Sequence, residues 1–167
     1  AGDFPAMLEL FSRAPEGLKL AQDAHLTPLP IDKAAASLSA ILLDESYYDF
    51  LKSMVREVGG IPVLGEAAII PFKARAWLDL TRQRDEGGNV DEKNIRKHRN
   101  DVARLLQLLS QEARYELPSS VADDMRSFVE QATAEADYDP RQFKVNMTRD
   151  DVATRLMKIG ERYAASP

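Results

Sequence analysis

The sequence contains no cysteine. Disulfide bonds, thiolate metal sites and cysteine nucleophiles are therefore excluded. Histidine is almost as scarce: only His25 and His98 are present, and they lie too far apart for the paired spacing of a metal site. The chain also lacks a glycine-rich phosphate loop and a serine elbow. The common local signatures of phosphate-loop, thiol and serine chemistry are thus missing.

Long apolar runs are also missing. No stretch approaches the length of a transmembrane helix, and no signal peptide is visible, so we expect a cytoplasmic protein with no membrane partner. The formal net charge is -5 with both signs interspersed, which predicts no global attraction to nucleic acid or anionic lipid. At 44% hydrophobic residues, the chain can bury an ordinary core.

The hydrophobic patterning predicts a helix-rich α+β fold. The first part contains short apolar runs bounded by turn residues: a strand at 7–11, a short edge segment at 29–31, and a strand or short buried helix at 37–43. Helical periodicity dominates the rest, and the predicted helices cover residues 45–58, 66–84, 91–111, 118–135 and 148–163. We therefore place an α/β segment at 1–64 and a helical subdomain at 65–167.

Lys73 is unusual because the helical periodicity places it on an apolar face. At 100° per residue it falls near the middle of the face formed by Ile69, Phe72, Ala76 and Leu80. A lysine there must extend to solvent, pair with an acid or hold an anion. The pattern alone does not choose among these three.

His98 has a similar position on the next predicted helix. It lies near the centre of an apolar face, and Asp101 lies at the margin of that face, one turn along. Because a short turn joins the two helices, we expect them to pack antiparallel. Lys73, His98 and Asp101 would then converge, either as a functional cluster or as a buried structural network.

Two other charged features each have a structural and a functional interpretation. Glu9 lies between Leu8 and Leu10, so in a strand it points to the opposite face, towards solvent or towards a metal ion. Basic residues are frequent between Arg82 and Arg104 and mostly fall off the apolar face. They indicate a solvated helix surface, with contact to RNA or a partner protein as the alternative.

Several segments together resemble the abortive-infection type of nucleotidyltransferase, the AbiEii-like toxin family of bacterial toxin–antitoxin systems. The resemblance covers roughly residues 4–110. Its segments are FPAMLELFSR at 4–13, SLSAILLD at 37–44, IPFKARAWLDL at 70–80 and VDEKNIRKHRNDV at 90–102.

The resemblance implies a mixed sheet that holds Mg²⁺ on carboxylates, followed by a helical bundle that completes a nucleotide pocket. Glu9 would be a catalytic carboxylate that assists the metal site. Lys73 would contact the NTP, Asp101 would be the catalytic aspartate of the later helical motif, and His98 would lie at the cofactor pocket, where many relatives carry an acid. The full-length protein would transfer a nucleotide from an NTP to an RNA or protein acceptor, with an antitoxin as a possible partner.

One departure from the family is large. The family opens with Gly-Ser followed by an acid pair on a strand, and this chain has neither ahead of Glu9. We therefore expect a truncated form, the C-terminal portion of such a protein, that is inactive by itself. The alternative is a degenerate, non-catalytic module that binds a nucleotide or a protein.

Overall fold

The computed structural model describes residues 8–13, 26–28 and 38–160. The chain divides into two compact units, Ala1–Lys52 and Ser53–Pro167. The fold is helix-rich α+β, as the sequence predicts. The second unit begins at Ser53, whereas the sequence predicted that the helical subdomain begins at residue 65.

The first unit contains a small mixed sheet. Its strands are β1 (Leu8–Arg13), β2 (Leu26–Pro28) and β3 (Leu38–Leu43). The apolar β3 is central, parallel to β1 and antiparallel to β2. Of the two alternatives for 37–43, the strand is therefore correct. The edge segment predicted at 29–31 lies outside the described residues, and β2 precedes it.

Helix α1 (Glu45–Met54) follows β3 directly. The Asp44 carboxylate caps this helix, because it accepts a hydrogen bond from the Tyr47 N–H at 3.0 Å. The helix buries Tyr47, Phe50 and Leu51 on one side. This apolar stripe is what stabilises a helix of this length, since short helices are marginal without packing.

The helix predicted at 45–58 is wrong in its last turn, where the chain forms a β-hairpin instead. Strand β4 (Val55–Val58) pairs antiparallel with β5 (Ile61–Leu64). The two-residue turn between them has φ of 59° at Gly59 and 79° at Gly60. Positive φ at both positions gives the turn geometry that matches the twist of a hairpin. The two glycines therefore reverse a strand rather than only ending a helix.

After the hairpin, the described residues of the second unit contain four α-helices. They are α2 (Glu66–Asp85), α3 (Glu92–Leu106), α4 (Ser119–Ala134) and α5 (Arg149–Ile159). The Asp91 carboxylate caps α3, and Thr148 forms a capping box with Asp151 at the start of α5. Helix α3 ends five residues before the predicted limit, because residues 107–109 turn away. None of the helices in the described part of the chain is long and apolar enough to cross a membrane.

Helices α2 and α3 pack against each other and run in opposite directions. Lys73 in α2 faces Asp101 late in α3, whereas Arg84 near the end of α2 faces Glu92 at the start of α3. The predicted antiparallel pair is therefore confirmed. Helix α4 packs on α2, and α5 packs on α3 and α4.

The buried stripe of α2 differs from the predicted face. It consists of Ile70, Ala74, Trp77 and Thr81, together with Ala68 and Pro71 near the start of the helix, whereas Ile69, Phe72, Ala76 and Leu80 are only partly buried. The Trp77 ring packs edge-on against Phe128 of α4, with ring centroids 5.3 Å apart. Because Trp77 lies at the centre of the core, the helix is rotated relative to the prediction and Lys73 lies at the border of the buried stripe.

Arg99 is the main charged residue of the interior. Its side chain is only 4% exposed, and it pairs with Glu135 and with Asp137 at 2.9 Å, both just beyond α4. Its guanidinium also lies over the Tyr138 ring, 4.9 Å from the centroid. The sequence analysis placed Arg99 among the basic residues of a solvated surface, which is wrong. The reason is that carboxylates 36 and 38 residues away neutralise it.

The segment from α4 to α5 is held by further arginine contacts. Arg149 donates to the carbonyl of Thr133 at the end of α4, at 3.1 Å, and to the carbonyl of Tyr138 beyond the helix, at 3.0 Å. A 3₁₀ turn at Pro140–Phe143 follows, capped by the Asp139 side chain. Tyr138 and Phe143 stack across this turn with centroids 6.1 Å apart.

We predict that Arg99→Ala lowers the free energy of unfolding by about 2–4 kcal/mol, because it removes a buried partner of two acids and leaves a cavity beside Tyr138. Urea unfolding measures this. Arg96→Ala is the matched control on the exposed side of α3 and should change stability by less than about 0.5 kcal/mol. Equal effects of the two substitutions would contradict a structural role for Arg99.

We also predict that the Arg99 cluster stabilises the fold less in acid. The Arg99 guanidinium holds the pKa of Asp137 below its usual range. A carboxyl with a lowered folded-state pKa contributes stability above its unfolded pKa, and this is lost as pH falls through the folded value. In the Asp137→Asn protein, the free energy of unfolding should therefore fall less steeply below about pH 4. Urea unfolding at several pH values measures this. If the free energy of unfolding of the Asp137→Asn protein falls with pH as steeply as that of the unchanged protein, Asp137 does not contribute to the loss of stability in acid.

Candidate functional site at the α2–α3 interface

The charged pair at the α2–α3 interface is Lys73 and Asp101. The Lys73 Nζ lies 3.7 Å from Asp101 Oδ2, and the two side chains are 28% and 21% exposed. Lys73 lies at the border of the buried side of α2, and Asp101 precedes the buried Val102 of α3. Packing of the two apolar stripes therefore brings the two charges together at the edge of the helix interface.

Asp101 has a second cationic partner. Arg104, one turn along α3, donates from Nη1 to Asp101 Oδ1 at 3.0 Å. The carboxylate is thus shared between a lysine on one oxygen and an arginine on the other. Two cations around one anion leave the cluster net positive.

His98 lies in the field of this pair. Burial, followed by the positive charge of Lys73, lowers its pKa to about 4, although Asp101 acts in the opposite direction. The imidazole is therefore neutral at pH 7. Its Nδ1 is buried and has no hydrogen-bond partner within the part of the chain that the structure describes.

The structure brings together three of the four residues that the sequence singled out. Lys73, His98 and Asp101 form one cluster through the predicted helix pairing. Glu9 lies in β1 of the first unit, opposite Ser39 in β3. Its catalytic and metal-binding roles stay predictions.

A divalent metal is not accommodated by the side chains of this cluster. Among the described residues no group of three or more His, Asp and Glu side chains could hold a metal ion. Mg²⁺ needs several oxygen ligands, and Asp101 offers the one carboxylate of the cluster. No chemical step through Mg²⁺ follows from these residues.

The arrangement can bind an anion. The distance from Lys73 to Asp101 exceeds that of a charge-assisted hydrogen bond, so the ammonium donors keep capacity for another oxygen ligand. A phosphate at Lys73 would also be near Arg104, whose side chain is 48% exposed. The neutral His98 adds no negative charge that would repel it.

The sequence analysis missed Arg104 as a member of the site. Its spacing of three residues from Asp101 on a helix was the available signal, since such residues are neighbours on one face. Arg104 had been grouped with the solvated basic residues. Its contacts with Asp101 and with the Phe143 ring, 5.4 Å from the centroid, connect the cluster to the 3₁₀ turn.

We predict that His98 makes stability fall in mildly acidic solution. Its folded-state pKa is about 4, below the usual value of 6.5, so the unfolded chain binds a proton that the native protein excludes. Stability is therefore full above about pH 6.5 and declines as pH falls towards 4, by at most about 2–3 kcal/mol. Urea unfolding at pH 7 and pH 5 measures it.

His98→Gln should remove most of this dependence, because glutamine does not titrate. His25 is the other histidine, so His25→Gln is the matched control. Loss of the slope in His25→Gln but not in His98→Gln would show that the assignment to His98 is wrong.

Comparison with known proteins identifies no relative: no protein-family model, no curated protein and no solved structure matches the chain. The resemblance to the abortive-infection nucleotidyltransferases is therefore a hypothesis that depends on the quoted sequence segments.

Proposed function

We propose that the chain is the C-terminal part of a nucleotidyltransferase-like protein and that its α2–α3 cluster binds a nucleotide, with Lys73 as the phosphate contact. The observation that carries this proposal is the loosely held, partly exposed Lys73 ammonium, 3.7 Å from Asp101. A lysine acts on phosphate as a point charge and needs no fixed fork geometry. The proposal assigns Asp101 to orienting Lys73 rather than to neutralising it.

Two other ion pairs of the second unit are held more closely than Lys73–Asp101, whereas the Arg84–Glu92 pair between α2 and α3 is as loose, at 3.9 Å. Arg75 of α2 donates to Asp124 of α4 at 3.0 Å, within hydrogen-bond distance. Arg99 is bound closely by two acids in the interior. Lys73 has neither arrangement, so a phosphate oxygen can approach it without breaking a close hydrogen bond.

His98 supports the proposal through its charge state. A carboxylate at that place would compete with phosphate for Lys73, whereas a neutral imidazole does not. Its lowered pKa, about 4, keeps it neutral in the physiological range. A ligand hydroxyl or water could in turn use the hydrogen-bonding capacity of the ring.

Nucleotide transfer needs more than the cluster supplies. We propose that the full-length protein performs the transfer from an NTP to an RNA or protein acceptor, and that Glu9 is one of its carboxylates for Mg²⁺. Within the cluster itself, Lys73 and Asp101 bind and orient. The second candidate is a module that binds nucleotides without catalysis, which needs only these same residues.

We predict that Lys73→Ala weakens binding of an NTP, measured by calorimetry with ATP, GTP, CTP and UTP, at least tenfold, about 1.4 kcal/mol. Thermal stability should change little, because the pair with Asp101 is partly exposed. Lys158→Ala, an exposed lysine on α5, is the matched control and should bind as the unchanged protein does. Equal binding by the Lys73→Ala protein would remove Lys73 from the site.

A transfer assay separates the two candidates. The assay uses the full-length protein, because this chain is expected to be inactive by itself. Incubation with an α-labelled NTP, Mg²⁺ and an RNA or protein acceptor yields labelled product if the full-length protein is catalytic. Binding without product favours the non-catalytic module. Absence of binding for every NTP would contradict both versions and leave the protein-interaction alternative.

A further inference from the structure

A second group of positively charged residues adjoins Arg104 and does not include Lys73. A surface pocket of about 420 Å³ is lined by Arg104, Gln142, Phe143 and Lys144. It joins the C-terminal half of α3 to the 3₁₀ turn. Two cations, an aromatic ring and a side-chain amide therefore surround one depression.

Lys144 adopts an unusual backbone conformation at this pocket. Its φ is 68°, which makes it the one non-glycine residue with positive φ in the described ranges. It ends the 3₁₀ turn, and its N–H donates to the Arg141 carbonyl at 3.3 Å. Glycine or asparagine is the usual residue at such a left-handed cap, because a longer side chain is strained there. A lysine at this position is hard to explain by backbone stability.

Arg104 and Phe143 provide a flat surface beside this lysine. The guanidinium of Arg104 lies over the Phe143 ring, 5.4 Å from its centroid. The ring is fixed in turn by its stack on Tyr138, whose side chain is buried. Tyr138 is itself held by Arg99. The half-exposed guanidinium is therefore presented on a rigid support rather than on a mobile side chain.

We propose that this pocket binds a nucleotide unit of single-stranded nucleic acid. The base stacks on the Arg104 guanidinium and the edge of Phe143, as bases do on aromatic and arginine planes. Lys144 contacts the adjoining phosphate, and the Gln142 amide can donate to and accept from the base edge. The exposed Lys97 and Lys93, earlier on α3, extend the positive surface along which a nucleic-acid strand could lie.

A single strand of nucleic acid fits this surface better than a free nucleotide does. The chain carries a net charge of -5, so attraction to a polyanion must come from a local surface. Helix α3 supplies it, because its exposed cationic residues Lys93, Arg96, Lys97 and Arg104 outnumber its acids, Glu92 and Asp101. The proposal does not require an NTP at Lys73, although Asp101 contacts both Lys73 and Arg104 and thus connects the two sites.

Fluorescence anisotropy with a labelled ten-nucleotide oligouridine tests the proposal. The unchanged protein should bind it in a salt-dependent manner. Lys144→Gly should weaken binding about fivefold and reduce the salt dependence by roughly one phosphate contact. Its melting temperature should stay unchanged or rise by up to roughly 4 °C, because glycine relieves the left-handed strain. Loss of binding in a protein that is not less stable cannot be ascribed to unfolding.

Two further variants sharpen the result. Lys144→Arg keeps the charge and should retain binding, and Lys158→Gln removes an exposed lysine elsewhere and should also retain it.

Lys73→Ala should leave oligouridine binding intact while NTP binding is lost, and Lys144→Gly should do the reverse. Joint loss of both activities in either variant would contradict two separate sites.

Three outcomes would overturn the proposal. Oligouridine binding that is absent, or unchanged in Lys144→Gly, removes the pocket as a site. Competition by inorganic polyphosphate as strong as by oligouridine means that the surface recognises charge and not bases. Competition by UMP at equal concentration assigns the pocket to a free nucleotide instead of a strand.

Discussion

The ion pairs of the buried Arg99 guanidinium are the interaction on which the second unit depends. They join α3 to the acids that follow α4, and the ring of Tyr138 packs on the same guanidinium. A buried charge of this kind contributes little net stability, but its loss is costly, because desolvated partners are left behind. Its effect is therefore to fix one arrangement of α3 and the 3₁₀ turn. Both proposed binding surfaces use that arrangement.

The charged residues of helix α3 lie on different sides of the helix and have different roles. Arg99 points into the core and is neutralised there, while Asp101 and Arg104 lie at the margin and connect Lys73 to the Phe143 ring. The neutral His98 interacts electrostatically with Lys73 and Asp101. Since partly exposed charges keep much of their hydration, these marginal residues can exchange a protein partner for a ligand at lower cost than Arg99 can.

The helix pairing and its polar cluster could be predicted because they follow from local rules. Periodicity placed Lys73 and His98 near apolar stripes, and the short turn after α2 required an antiparallel return. The exact stripe of α2 could not be predicted, since the packing of Trp77 on Phe128 sets the rotation of the helix. The β4 strand was missed because two glycines after a helical pattern indicate both a helix end and a hairpin turn.

Arg99 shows the limit of reading charge from sequence. It resembles its neighbours Arg96 and Lys97 in composition, but its partners lie after the next helix in the sequence. Lys144 was missed for a related reason, since a left-handed φ at lysine has no sequence signal. Long-range pairing and backbone strain are properties of the assembled fold.

The most direct measurement is an NMR titration of the protein with UTP, followed on the imidazole resonances of His98. The proposal predicts a saturable shift of His98, because a phosphate at Lys73 changes the charge next to the ring. The Lys73→Ala protein should lose that shift. His98 resonances that do not move up to millimolar UTP would contradict a nucleotide site at the α2–α3 interface.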